Sequence, residues 1–206
     1  KWSSKGEELD FYHGFHETFY SNGQLAKKQK FMDGTEDGPS ESYYETGELE
    51  AKENYKDGSL INSEIYYKNG QLHKIETYKN DKKDGSWVVH YEDGQLKEKG
   101  TYKDGEKVGP WVVYYDNGQL TSKGIYKNDK KDGSWVVYFD NGKLTSEGTY
   151  KDGKKDGPWT RYHNNGVPSF KGNYKNGKEE GTWVYLDESG RVWAEDTYKD
   201  GKKISD

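Results

Sequence analysis

The pattern of hydrophobic and polar positions is that of paired strands. Trp111-Val112-Val113-Tyr114-Tyr115 and Leu120-Thr121-Ser122-Lys123-Gly124-Ile125-Tyr126 are β-rich runs separated by Asp116-Asn117-Gly118-Gln119. Side chains of a strand point alternately to opposite faces. Asn-Gly between two such runs predicts a two-residue type I′ turn, with positive φ at both centres. That register sets Tyr115 opposite Leu120, Val113 opposite Ser122 and Trp111 opposite Gly124. One face then carries Trp111, Val113, Tyr115, Leu120 and Tyr126. Val112, Tyr114, Thr121 and Lys123 occupy the other, more polar face.

The same unit recurs eight times. Its turn glycine returns at Gly23, Gly47, Gly70, Gly94, Gly118, Gly142, Gly166 and Gly190, every interval being 24 residues except one of 23. Eight residues after each stands an aromatic: Phe31, Tyr55, Tyr78, Tyr102, Tyr126, Tyr150, Tyr174 and Tyr198. A fixed period in this range predicts stacked identical units in place of a domain with one centre. The expected fold class is all-β: an elongated single-layer antiparallel β-meander, a repeat solenoid of about eight hairpins. At ~4.8 Å per strand it extends roughly 75–80 Å, and twist coils one side into a groove. The register has an internal check. Trp87 falls opposite Gly100, Trp111 opposite Gly124, Trp135 opposite Gly148 and Trp159 opposite Gly172. Only Gly leaves room for the ring across the strand. Trp183 departs, facing Asp196. Ser40 and Ser63, at the Trp position, face Glu53 and Glu76. The second connection, Tyr150 to Trp159, holds two glycine turn signals and few apolar residues, so it reads as an exposed loop.

Composition narrows the function. Hydrophobic residues make up 29% of the chain, well below a typical globular domain, but 19 Tyr, 7 Trp and 6 Phe supply burial in register. The net charge of −5 argues against nucleic acid and against anionic membranes. There is no cysteine, and no apolar run approaches the ~20 residues of a membrane span. The chain begins at Lys1, which leans towards an exported or cell-envelope location through a removed leader. His13, His16, His73, His90 and His163 share no repeat position and form no metal-binding spacing. In Lys127-Asn128-Asp129-Lys130-Lys131-Asp132-Gly133 two lysines separate the acids, unlike a calcium loop. No serine sits on a nucleophile elbow. The reading is non-enzymatic: no catalytic residue, no metal and no cofactor.

Tyr150-Lys151-Asp152-Gly153-Lys154-Lys155-Asp156-Gly157-Pro158-Trp159, followed by Asn165-Gly166 at the next turn, resembles the MORN repeat, and more closely its bacterial variant. The resemblance runs from about residue 14 to 203 and is sharpest over 85–183. Units one to three lack the Trp, and Asp81 and Asp129 replace a loop Gly. It implies an elongated single-layer sheet and a binding or scaffolding role. Some members of the family are membrane-associated, and many bacterial variants are labelled antitoxin-like. The Asp-Gly-x-Trp-x-x-Tyr element also resembles the choline- and glucan-binding repeats of surface proteins, whose units are nearer 20 residues.

These readings give one repeat array over 1–206: an N-terminal extension or cap over 1–13, degenerate repeats over 14–84, regular repeats over 85–183 and a C-terminal cap over 184–206. The expected function is to hold a protein partner along an aromatic-lined groove. Trp87, Trp111, Trp135, Trp159, Tyr91, Tyr115 and Phe139 line it, with Arg161 and His163 where the seventh repeat departs from the rest. Val88, Val112, Val136, His90, Tyr114 and Tyr138 offer a second groove on the opposite face. The alternatives are a cell-wall or carbohydrate ligand stacked on exposed Trp and Tyr, and a phospholipid surface. Two copies joined end to end are a further arrangement.

Overall fold

The computed structural model describes residues 13–205, so the expected extension or cap over 1–13 lies outside the described residues except for His13. The described chain is all-β, without helix. It divides into two compact units, 1–94 and 95–206. The first holds β1 (Gly14–Phe19), β2 (Leu25–Met32), β3 (Thr35–Tyr43), β4 (Leu49–Lys56), β5 (Ser59–Tyr66), β6 (Leu72–Lys79) and β7 (Lys82–His90). The second holds β8 (Leu96–Lys103), β9 (Glu106–Tyr114), β10 (Leu120–Lys127), β11 (Lys130–Lys131), β12 (Gly133–Tyr138), β13 (Leu144–Lys151), β14 (Lys154–Tyr162), β15 (Pro168–Lys175), β16 (Lys178–Leu186), β17 (Val192–Lys199) and β18 (Lys202–Ser205). Within each unit the strands pair antiparallel in sequence order, β11 and β12 lying side by side with β10 as two pieces of one interrupted strand, and form a single-layer meander.

The two kinds of connection exchange the roles the sequence suggested. At Asp116-Asn117-Gly118 the amide of Gly118 donates to Tyr115 and that of Tyr115 to Gln119, and only Gly118 has positive φ, at 79°. This is a three-residue loop, a type I turn closed by a left-handed glycine, not a type I′ turn. The extra residue shifts the register: Ser122 still faces Val113 and Gly124 faces Trp111, but Leu120 pairs with Tyr114 instead of Tyr115. The Lys-Asp-Gly-Lys connection is the tight hairpin. Asp152 and Gly153 have φ of 50° and 82°, and Lys151 pairs directly with Lys154. Two successive left-handed residues define the I′ turn, which Asp-Gly suits best. A predicted loop is therefore strand almost throughout, and it brings Lys107, Lys131 and Lys155 onto the sheet, four residues before the Trp of each repeat.

Burial concentrates on one row. Trp111, Trp135, Trp159 and Trp183 are only 2–6% exposed, although the sheet is one layer thick. They are covered by their own neighbours.

Candidate binding face

In the second unit the Trp-bearing face is a continuous aromatic spine. Tyr102, Trp111, Tyr126, Trp135, Tyr150, Trp159, Tyr174, Trp183 and Tyr198 alternate edge to face, with centroids 4.9–6.2 Å apart. Each such contact adds about 0.5–1.5 kcal/mol to the burial itself. The spine needs a gap for every indole, and glycine makes it. A Cβ on Gly100 would lie 1.9 Å from Trp111, one on Gly124 2.2 Å from Trp135, one on Gly148 2.0 Å from Trp159 and one on Gly172 2.2 Å from Trp183. The pairing of strands is as expected: Trp111 faces Gly124 and Trp135 faces Gly148. The occupant of the gap is not. Each ring covers the glycine of the preceding repeat, so Trp183 has its glycine in Gly172 and is no exception.

The first unit fills the same gaps with other chemistry. Ser40 and Ser63 stand at the Trp position, 1% and 3% exposed. Gln29 and Glu53 stand in place of glycine and pair with them. Long polar side chains thus fill from one strand what indoles fill from the next. Glu53 accepts the hydroxyl of Tyr55 at 3.0 Å. Glu76, opposite the half-buried Trp87, meets Lys74 at 2.8 Å and Lys83 at 3.3 Å. Burial alone would raise its carboxyl, but the two lysines hold it below the ordinary value.

Tyr78 is pushed up to about 12, first by burial and then by the Glu76 carboxylate. The unfolded phenol ionises near ~10. The raised value therefore sets a stability contribution that is complete below pH ~10 and is lost as pH rises from about 10 towards 12. Denaturant midpoints measured over that range should fall steeply for the native protein and less steeply for Tyr78→Phe.

Lysines roof the spine. Lys107 Nζ lies 4.1 Å from the centroid of Trp111, Lys131 4.0 Å from Trp135 and Lys155 4.1 Å from Trp159. Each also reaches the next tyrosine, Tyr126, Tyr150 or Tyr174, at 4.7–5.4 Å. The half-buried ammonium groups feel this. Burial lowers Lys131, and Lys155 adds to it; burial lowers Lys155 too, opposed by Glu179 and assisted by Arg161. Lys83 caps Trp87 in the same way, at 3.9 Å.

The predicted site residues therefore separate into three places. Trp111, Trp135 and Trp159 lie beneath the surface, and Trp87 lies half-buried under Lys83. Arg161 is exposed beside this row, pairing across the sheet with Ser146 and Phe170. Tyr91, Tyr115, Phe139 and His163 stand apart, each opening the turn that ends at the repeat glycine. There the Tyr115 hydroxyl donates to the Tyr138 carbonyl at 2.9 Å, as Tyr20 does to Tyr43, Tyr44 to Tyr66 and Tyr67 to His90. His163 Nε2 meets the Leu186 carbonyl at 2.9 Å. Its place in the seventh repeat is that of a ladder rung. Phe139 has no hydroxyl to offer. Phe139→Tyr should add the missing bond to Tyr162, worth about 0.5–1.5 kcal/mol, and raise the urea midpoint.

The asparagine before the repeat glycine, at Asn22, Asn69, Asn117, Asn141 and Asn165, serves the same ladder. Asn117 Oδ1 accepts from its own turn at Gln119, and Nδ2 donates to Asp140 of the next turn at 2.7 Å. On the opposite face Val112 and Val136 are half-buried beside Pro110, Ser134, Thr149, Pro158 and Thr160. Sequence reasoning passed over the lysine row. Its signal was a Lys recurring every 24 residues at 107, 131 and 155, read as part of a solvated loop.

Comparison with known proteins matches a family model, the MORN repeat variant, to residues 36–57, 62–80, 83–104, 107–128, 131–152 and 155–176. No curated protein matches the chain. Among solved structures the chain is similar to one of the GtfA/B complex bound to UDP and GlcNAc, at 18% identity and TM-score 0.22, over 63% of this chain and 26% of the other. It is also similar to one of TcdB2-TccC3-TEV, at 11% identity and TM-score 0.20, over 92% of this chain and 13% of the other. A porin-like protein from Bacteroides uniformis is similar at 12% identity and TM-score 0.21, over 92% and 91%. The six consecutive matches span more than half of the sequence, and the chain belongs to the MORN repeat variant family.

Proposed function

We propose that the protein is a non-enzymatic binding or scaffold module that engages a protein partner on the roofed aromatic face of residues 95–206. MORN repeats are generally non-catalytic and suggest a repeat binding module. The observation that carries the reading is the row of half-buried cations over a rigid spine. Among the described residues no carboxylate comes within ion-pair distance of Lys131, Lys155 or Arg161. Half-buried lysines with no carboxylate at ion-pair distance favour a partner that supplies one. Trp111, Trp135 and Trp159 act as the support beneath, and Arg161 extends the contact at the rim. A sugar stacked on Trp would need an open indole face, and these indoles are sealed by lysine and tyrosine.

The test is site-specific photocrosslinking in cells of the source organism. A crosslinker at Ser146, on the roofed face, is expected to capture one protein that a crosslinker at Ile125, on the opposite face, does not. Capture of glycan or lipid alone, or equal capture from both faces, would overturn the proposal.

A further inference from the structure

The two units treat the same lysine and tyrosine positions differently, and the difference points to a ligand. In the first unit the face contains its own carboxylates. Glu53 takes the Tyr55 hydroxyl at 3.0 Å, and Glu76 holds Lys74 and Lys83. In the second unit the positions equivalent to Glu53 and Glu76 are Gly100, Gly124, Gly148 and Gly172, whose space the indoles occupy. The lysines and tyrosines remain. Lys107 keeps one acid, Glu98, at 3.6 Å. Lys131 and Lys155 have rings beneath them and no carboxylate at ion-pair distance, Glu179 acting on Lys155 from farther off, and Arg161 lies beside Lys155. The hydroxyls of Tyr126, Tyr150 and Tyr174 have no hydrogen-bond partner among the described residues. A chain of net charge −5 thus carries a local cationic stretch at Lys131, Lys155 and Arg161, bounded in the row by Glu98 beside Lys107 and by Glu179 beyond Lys155.

Resting on the protein-partner reading, we propose that this row takes an acidic peptide segment in an extended, polyproline-like form, with carboxylates three residues apart meeting Lys131 and Lys155, and Arg161 flanking the Lys155 position. The pitch of the array selects that register. Successive lysines are two strands apart, about 10 Å. A polyproline II helix advances about 9 Å per turn of three residues, so acids at i and i+3 fall on one side at nearly the same spacing. Aromatic-backed rows are also where such segments dock. The tyrosine hydroxyls between the lysines donate to the same carboxylates, as Tyr55 does to Glu53.

The test uses the full chain and fluorescence polarisation with labelled synthetic peptides. One has Glu at every third position with Pro and Ala between. A second has the same composition with its Glu residues adjacent. A third is helical, with Glu at every seventh position. The spaced peptide is expected to bind at least ten-fold tighter than either. Lys131→Met with Lys155→Met should weaken it at least ten-fold, with fold checked by circular dichroism, whereas Lys171→Gln, off this row, should leave it unchanged. Lys131→Arg should retain it. Equal binding of all three peptides, preference for the helical one, or no binding would overturn the register. So would anionic phosphatidylserine vesicles binding through Lys131 and Lys155 where the peptides do not. The peptide comparison needs no variant, so misfolding cannot hide failure. The crosslink at Ser146 decides the broader reading separately: a protein captured there with no peptide preference would sink this inference alone.

Discussion

Trp159→Ala is expected to destabilise the protein by about 3–5 kcal/mol, the range for removing a buried indole from a packed site. The ring is 6% exposed and contacts Tyr150 at 5.4 Å and Tyr174 at 6.0 Å, both edge to face. It also roofs Gly148 and supports Lys155. In a single-layer sheet no second layer can collapse into the space, so relaxation is small. In a repeat array the loss is felt first by adjoining hairpins. The measurement is guanidinium unfolding followed by near-ultraviolet circular dichroism. A loss below about 1 kcal/mol would mean that the spine is not the core.

Gly148→Ala should cost about 1–3 kcal/mol by overpacking, since its Cβ would lie 2.0 Å from the Trp159 ring. The more telling result is which second substitution removes that cost. In a Trp159→Ser background Gly148→Ala should become neutral or slightly stabilising, because the clash is gone and a strand glycine has been replaced. In a Trp135→Ser background the full cost should remain, although Trp135 is also a direct cross-strand partner of Gly148. A double-mutant cycle from the same unfolding curves gives the coupling, expected at about 1–3 kcal/mol with Trp159 and near zero with Trp135. The opposite ordering would refute the assignment of each ring to the preceding glycine.

These two experiments bear on what could be read from the chain. The period, the strands, the antiparallel meander and the Trp–Gly co-occurrence are all legible, because alternation and turn glycines are local signals. Which indole fills which glycine is not. Each glycine has a Trp in register on both sides, as Gly148 does with Trp135 and Trp159, and residue spacing cannot say which way a ring leans. The turn assignments fail for a related reason. Asn-Gly fits a type I′ turn locally, but here Asn117 is chosen for the two hydrogen bonds of its amide, one of them to Asp140 a full repeat away. Asp152-Gly153, which forms the I′ turn, sits among lysines that look like loop. That misreading concealed Lys131 and Lys155, whose place over the rings depends on the chain staying extended from turn to Trp, with a single break at Asp132 in the Lys131 repeat. The aromatic row and the burial it supplies were visible. The lysines that close over it were not, because cover in one layer depends on what the neighbouring hairpin lays across it.

Because Trp111, Trp135, Trp159 and Trp183 each close the gap left by the hairpin before, this part of the array has a direction. A hairpin ending in glycine is unfinished until its successor's indole arrives, whereas nothing in its predecessor fills that gap. At position 196 the glycine gives way to Asp, which holds Lys203 at 3.0 Å. Length can therefore be edited in whole steps. Excising residues 125–148 joins Gly124 to Thr149 and presents Trp159 to the vacancy that Trp135 had filled. The joint is the same at every step of the regular region, so units can be lost or gained there without redesigning any neighbour, and the number of cations presented along the face changes by one with each.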